Sequence, residues 1–209
     1  MEKSNDAKQR KPTQERAKAR VEAIINATRE LIQEKGSSSL KIQEIAERAG
    51  VTAGSMYQYF PNKQAILKAL YEQYNEQVQE MMAASASGLE SIDELSEAFK
   101  QIYSQYYALF LDAPVLQDIV ASRGLNKELN QQDIEDSRQN SAVMFEGSKH
   151  LFDEVDHETL AKYLFLMVHL SSSMMQFAVS LEAEESKEMF NLSKKLISEQ
   201  VIQAILKEP

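Results

Sequence analysis

The chain has 209 residues, 43% of them hydrophobic, a net charge of −9 and no cysteine. That length and apolar share suit one large domain or two small ones with a real core, and the missing thiols exclude disulfides, a cysteine nucleophile and thiolate zinc sites. Six glycines, four prolines and no strand-like alternation predict an all-α fold.

Residues 1–13 are polar, with Lys3, Lys8, Arg10 and Lys11, and read as a disordered basic arm. The stretch Met1 to Arg20 has no apolar core of the kind a secretory signal needs. A first helix is expected from about Gln14 to Lys35, with Val21, Ile24, Ile25, Thr28, Leu31 and Ile32 inward and Gly36 as its stop. Ser37 to Ser39 form a loop.

Residues 42–60, IQEIAERAGVTAGSMYQYF, then read as a helix-turn-helix. Ile42, Ile45, Ala46 and Ala49 make one apolar stripe at helical spacing. Gly50 can end that helix in a left-handed conformation without a Cβ penalty. Val51 follows as a plug, and Thr52 caps a second helix whose inward positions are Met56 and Tyr59 or Phe60. Ala46 leaves room for two helices crossing steeply. The outward residues Ala53, Gly54, Ser55, Tyr57 and Gln58 are short or hydrogen-bonding and uncharged, a surface that can be pressed into a major groove.

A fourth helix is expected after Asn62, with Ile66, Leu67, Leu70, Tyr74 and Val78 inward, ending near the Ser85–Gly88 cluster. Five more follow: about Ile92 to Leu111, stopped before Pro114; Val115 to Ser122, ended by Gly124; Asn126 to Phe152; Asp156 to Leu181; and Glu184 to Lys207. Charge divides along the same line. Residues 1–70 hold 13 Lys/Arg against 8 Asp/Glu, a charge of +5, while residues 71–209 hold 10 against 24, a charge of −14. A basic N-terminal module is the footprint expected for phosphate contact, and an acidic remainder is repelled by a polyanion. Tyr163 to Val179 is the longest apolar-rich stretch, but its serines, Gln176 and His169 suit a buried helix, not a bilayer span. A cytoplasmic protein without membrane contact is the expectation.

The segment from "IINATRELIQEKG" through "IAERAGVTAGSMYQYFPNKQAIL" resembles the TetR (tetracycline-repressor) family of bacterial transcriptional regulators. The resemblance rests on the aromatic trio Tyr57, Tyr59 and Phe60 followed by Pro61-Asn62-Lys63, and it covers roughly residues 14–70. It implies a helix-turn-helix DNA-binding domain over residues 14–62 and a ligand-binding and dimerisation domain over residues 63–209. By the same resemblance, base edges are read by Ala53, Gly54, Ser55 and Gln58, with Gln43 reaching from the preceding helix. Lys41, Thr52, Tyr57, Tyr59 and Lys63 fall on phosphate-clamping positions. Glutamine can pair bidentately with adenine, and Tyr hydroxyls and lysines suit phosphates; for Tyr59, core packing competes with phosphate contact. Many relatives carry Ser or Thr where this chain has Lys41, which exchanges a capping hydroxyl for a flexible cation.

Relatives sense small molecules inside the second module. Here Tyr103, Tyr106, Tyr107 and Phe110 share one helix, Met144 and Phe145 another, and Phe165, His169, Ser172, Met175 and Gln176 a third. Aromatics, methionines and a few polar tips are what an apolar pocket uses, so an apolar or aromatic effector is expected, although each residue taken singly fits ordinary core as well. Tyr163–Val179 is apolar nearly all round, and the last helix is apolar on more than one stripe (Met189, Leu192, Leu196, Ile197, Val201, Ile205), which predicts a homodimer through these two helices. No enzyme is expected. The three histidines, His150, His157 and His169, have no metal-ligand spacing, there is no glycine-rich phosphate loop, and the acidic run Asp153 to Glu158 reads as solvated. No cofactor is predicted. The resulting expectation is a dimeric repressor that binds double-stranded DNA at a pseudo-palindromic operator and releases it for a small hydrophobic molecule. Alternatives are a hydrophobe carrier with a structural helix-turn-helix, or a regulator answering to a protein partner.

Overall fold

The computed structural model describes residues 6–121 and 127–207, all helix and connecting turn, with no strand among them. The helices are α1 Asp6–Lys35, α2 Ile42–Arg48, α3 Ala53–Tyr59, α4 Lys63–Ser85, α5 Ile92–Asp112, α6 Pro114–Ala121, α7 Lys127–Ser148, α8 His157–Val179, α9 Ala183–Lys195 and α10 Val201–Ile205. A 3-10 turn, Lys149–Leu151, follows α7, and a π-helical turn, Leu196–Gln200, joins α9 to α10. The chain divides into two compact units, residues 1–73 and 74–209, so the first half of α4 belongs to the N-terminal unit and the division lies beyond the boundary anticipated at residue 62. The reason is packing: Ile66, Leu67 and Leu70 of α4 are buried.

The first helix starts at Asp6, not near Gln14. Ala7, Lys8, Gln9, Arg10 and Lys11 are all strong helix formers, and residues 6–13 of the anticipated arm are helical; residues 1–5 lie outside the described residues, as do Ser122, Gly124 and Asn126. Of the expected inner face, Ile24, Ile25, Thr28, Leu31 and Ile32 are buried and Val21 is half-buried, and Thr28 spends its hydroxyl on the Ile24 carbonyl at 2.7 Å. Gly36 ends the helix at φ +80.

In the second unit, helix ends are set by side chains with free lone pairs. Ser91 accepts from the Glu94 amide at 3.2 Å and Glu94 reaches back to the Glu90 amide at 2.7 Å, a capping arrangement for α5. Asp156, at the end of the acidic run, accepts from the Thr159 amide at 2.9 Å; that backbone bond holds its carboxyl below the usual range, and its role is the N-cap of α8. Pro114 has no amide to continue α5, and Gln117 covers the Phe110 carbonyl with a side-chain bond of 2.6 Å. The core is built on Leu95, Phe99, Phe110, Leu116, Ile119, Met144, Leu160, Leu164 and Met175. Where α7 passes the turn after α4, Gly147 lies so close that a Cβ there would stand 2.3 Å from the Ala86 carbonyl oxygen.

Candidate nucleic-acid interface and cavities

The two short helices of the N-terminal unit meet through the turn the spacing anticipates. Gly50 takes φ +65, and the Val51 amide returns to the Ala46 carbonyl at 2.9 Å. Ile45, Ala46, Met56 and Phe60 are buried between the helices, and Tyr59 is half-buried. Thr52 accepts from the Ser55 amide at 3.1 Å as the cap of α3, a contact of roughly 1 kcal/mol. Asn62 caps α4 in the same way, accepting from the Ala65 amide at 2.8 Å.

This packing leaves one uncharged face open. Ala53, Gly54 and Gln58 of α3 are exposed, Ser55 is half-buried, and Tyr57 is 55% exposed despite its ring. Gln43 and Lys41 are exposed beside the start of α2. Lys41 occupies the cap position of α2 without any side-chain capping bond. Lys63 is placed differently: its Nζ donates to the Ser37 and Ser38 carbonyls at 3.3 Å each, tying α4 to the loop before α2. Behind this face, Arg48 of α2 forks onto Glu34 of α1 at 2.8 and 3.0 Å and reaches Glu30 at 3.2 Å. The guanidinium holds the Glu34 carboxyl below its usual range, while Glu34 and Glu30 push Arg48 up. Lys35 pairs with Glu44 on the same flank. These pairs are invisible in the sequence because only the fold brings residues fourteen apart together; they bridge α2 to α1.

In the second unit the anticipated effector residues fall into separate clusters. Tyr103 and Tyr107 of α5 both stack parallel to Phe190 from α9, with centroids 5.5 and 4.1 Å away, and the Lys194 ammonium stands 4.9 Å over the same ring. Their hydroxyls meet Ser193 at 2.8 Å and Ser186 at 2.9 Å. Burial pushes the Tyr103 phenol up to about 12, against the Ser193 hydrogen bond, so it remains a neutral donor. These rings form a stack with Tyr107 half-buried at its edge, which the spacing on α5 alone does not reveal. Tyr106 meets Phe110 edge-on at 4.9 Å. Phe145 packs edge-on against His157 at 5.5 Å, with Met144 fully buried beside it. Phe165 lies under the Arg138 guanidinium at 4.6 Å, and His169 shares a 3.1 Å hydrogen bond with Ser137 of α7 and lies 4.0 Å from Asp133. Ser172 and Met175 are buried.

A cleft of about 610 Å³ opens where the end of α5, α6 and the C-terminal half of α8 meet. Phe110, Pro114, Val120, Phe177 and Val179 give it an apolar wall, and Gln117, Asp118, Ser173, Gln176 and Ser180 are its polar groups. Of the anticipated residues, Phe110 and Gln176 border it; α6, whose part was missed, supplies the rest of the floor. On α8, Leu166, Leu170 and Phe177 are 52, 37 and 56% exposed, a single apolar stripe, and Leu192 and Leu196 stand open after them in the chain. Among the described residues no group of three or more His, Asp or Glu could hold a metal ion, and no helix is long and apolar enough to cross a membrane.

Two family descriptions match the chain: bacterial regulatory proteins of the tetR family over residues 24–70, and the tetracycline-repressor-like C-terminal domain over residues 93–205. The chain is 40% identical over 60 residues to the transposon Tn10 TetC protein of Escherichia coli, covering 29% of this chain and 30% of that one. It is 32% identical over 101 residues to the HTH-type transcriptional regulator TtgR of Pseudomonas putida, covering 48% of each. The matched stretch thus spans no more than about half the length of these curated relatives. In fold it is similar to a TetR-family transcriptional regulator from Pectobacterium atrosepticum, with a TM-score of 0.70 at 18% identity over 93% of this chain and 97% of the other.

Proposed function

The chain belongs to the tetracycline-repressor family, and from that premise we propose that it is a cytoplasmic, homodimeric repressor that binds a pseudo-palindromic DNA operator and releases it when a small molecule occupies the second unit. The observation that carries the DNA-binding part is the open, uncharged face of α3 beside exposed Gln43 and Lys41, on a scaffold locked by the Arg48 fork. Backbone contacts give most of the affinity and base edges most of the specificity. Tyr57 and Lys41 suit the first task; Gln58, Gln43 and Ser55 suit the second, with Ala53 and Gly54 allowing close approach of the helix to the groove. Thr52 and Tyr59 flank the phosphate side. Lys63 contributes through the loop it holds as well as through its charge.

The apolar stripe of α8 with Leu192 and Leu196 supports the dimer, because a second copy would cover the leucines that a lone chain leaves open. Two copies place their recognition helices about one DNA turn apart, roughly 34–36 Å. The cleft between α5, α6 and α8 supports an apolar or aromatic effector, since its volume and mixed lining suit a small organic molecule. Release then follows from a shift in population toward dimers whose spacing no longer fits successive major grooves.

Selection of binding sites from random DNA tests this. Gln43→Ala and Gln58→Ala should each change base preference at one position, costing on the order of 1–3 kcal/mol there, whereas Tyr57→Ala should weaken all sequences alike. Gly54→Ala is a sharper probe. Nothing lies within 4 Å of an added Cβ, so the fold should gain up to about 1 kcal/mol from helix propensity, while operator affinity falls. Unchanged motifs in both glutamine variants would remove these residues from base reading, and an undiminished affinity in Gly54→Ala would mean that α3 does not sit close in the groove.

A further inference from the structure

Helix α1 runs on well before the part of it that packs. From residue 14 onward its first buried side chain is Ile24, and its ion pairs to α2 come from its far end, through Glu30, Glu34 and Lys35. Residues 6–20 thus add about 22 Å of helix ahead of the core. They also hold most of the net positive charge of the N-terminal unit. Six Lys/Arg stand there against Asp6 and Glu15, a charge of +4, whereas residues 21–70 hold six against five, a charge of +1. Those later cations are mostly engaged. Lys35 and Arg48 pair with carboxylates, Lys68 stands 3.7 Å from Glu72, Arg29 donates to Asn26 and Gln73, and Lys63 holds two carbonyls. Only Lys41 is left without a hydrogen bond or ion pair among the described residues. On α1, by contrast, Arg16, Lys18 and Arg20 are all exposed, and none pairs with a carboxylate among the described residues.

A duplex is a polyanion, and a protein holds it largely through cations that displace its counterions, several for each site. One unengaged lysine beside the helix-turn-helix does not meet that need. Resting on the DNA-binding reading above, we propose that the N-terminal stretch of α1 lies along the DNA backbone outside the α3 contact. Arg16, Lys18 and Arg20 meet phosphates there, and Lys8, Arg10 and Lys11 add charge toward the start of the same helix. The work is then divided: α3 selects the sequence, while α1 provides most of the salt-dependent hold and lengthens the stretch of duplex covered. Cations carried on a helix keep their spacing, so less freedom is lost on binding than from an unstructured arm. The other body of opposite charge is the chain's own residues 71–209, at −14. The two occupants predict opposite results, since a helix held by its own acidic unit would compete with DNA.

The test is fluorescence anisotropy of the full chain on two labelled duplexes, one selected from random DNA and one of random sequence, from about 50 to 200 mM salt. Arg16→Gln, Lys18→Gln and Arg20→Gln are combined in one variant, because glutamine keeps a helix propensity close to that of Lys and Arg. Six charges leave each dimer, so the slope of log affinity against log salt should become shallower by about 5 on both duplexes. The selected motif should stay the same. Glu15→Gln, on the same stretch, should instead strengthen binding. Trimming the duplex to the selected site should cost the unaltered chain affinity and cost the triple variant none. If circular dichroism shows the triple variant unfolded, Arg16→Gln alone decides, through a slope shallower by about two. A slope unchanged to within about one unit overturns the proposal, as does an equal loss from trimming in both proteins. Tighter binding by the triple variant overturns it in favour of the acidic unit, and an unaltered chain that binds neither duplex overturns it outright. An unaltered chain that selects no motif, yet holds random duplex through these cations, would sink operator recognition and leave this proposal standing. A selected motif with an unchanged slope would do the reverse.

Discussion

Replacing Leu166 and Leu170 together by glutamate should turn the dimer into monomers and lower operator affinity by roughly 10²–10⁴-fold. Both side chains are largely open in the single chain, at 52 and 37% exposed, so the substitution trims only their inner contacts, and the fold should lose about 1 kcal/mol per site. In a dimer the same positions become buried. Four carboxylates, two from each copy, would then face one another without water, a cost that association cannot offset. The loss at the operator follows because each half-site is held weakly, and the second half-site is gained only through the effective concentration that the dimer provides. Sedimentation gives the mass, circular dichroism the fold, and a gel-shift titration the affinity. A double variant that stays dimeric and binds operator as before would show that α8 is not the contact between copies.

Gly147→Ala should lower the melting temperature by about 3–8 °C, from a loss of roughly 1–3 kcal/mol. In an isolated helix the same change would help by up to about 1 kcal/mol. Here the added Cβ would stand 2.3 Å from the Ala86 carbonyl oxygen and 2.8 Å from the Ala86 Cβ. A flexible side-chain tip could swing away, but a backbone carbonyl moves only if the turn after α4 moves, and Ala86 and Leu89 are themselves buried there. Steric cost therefore exceeds propensity. Thermal denaturation beside Gly54→Ala, which meets no neighbour, separates the two effects: one glycine should lose stability on gaining a methyl and the other should gain it. A melting temperature that rises in both variants would mean that α7 can withdraw from the turn without cost.

These two cases also show what the sequence makes legible. Helix ends were readable because single residues cause them: Gly36 and Gly50 by positive φ, Asn62 and Thr52 by their side-chain oxygens, and Pro114 by its missing amide. The open face of α3 was readable for the same reason, since a seven-residue helix anchored by Met56 and closed by buried Phe60 leaves few places for the rest. The cleft was not. Its walls come from three helices far apart in the chain, and Phe110 and Gln176 were found only because they share helices with conspicuous aromatics. The partners of Tyr103 and Tyr107, namely Phe190, Ser186 and Ser193, are illegible from α5 alone because they lie about eighty to ninety residues away in the chain. The burial of α7 was hidden most completely. Aspartate, serine and asparagine at helical spacing look like a solvated stripe, and only the neighbours α4 and α8 reveal that the stripe points inward.

Along the C-terminal helices the buried positions run Ser186, Phe190, Ser193 and Ile197, then Ser198, Ile202 and Ile205. Each set keeps helical spacing, but the second starts one residue after the first ends, a slip in phase that the π-helical turn at Leu196–Gln200 absorbs. In genetic terms that turn holds one codon more than an ordinary helix needs. Losing the codon of exposed Gln200 would restore an ordinary helix with both flanks still in phase. Losing one from α8 would instead turn every later side chain by about 100°, carrying Met175 and Ala178 out of the core. The length of this gene is therefore free to change by one codon in that turn, and is fixed in the helix beside it.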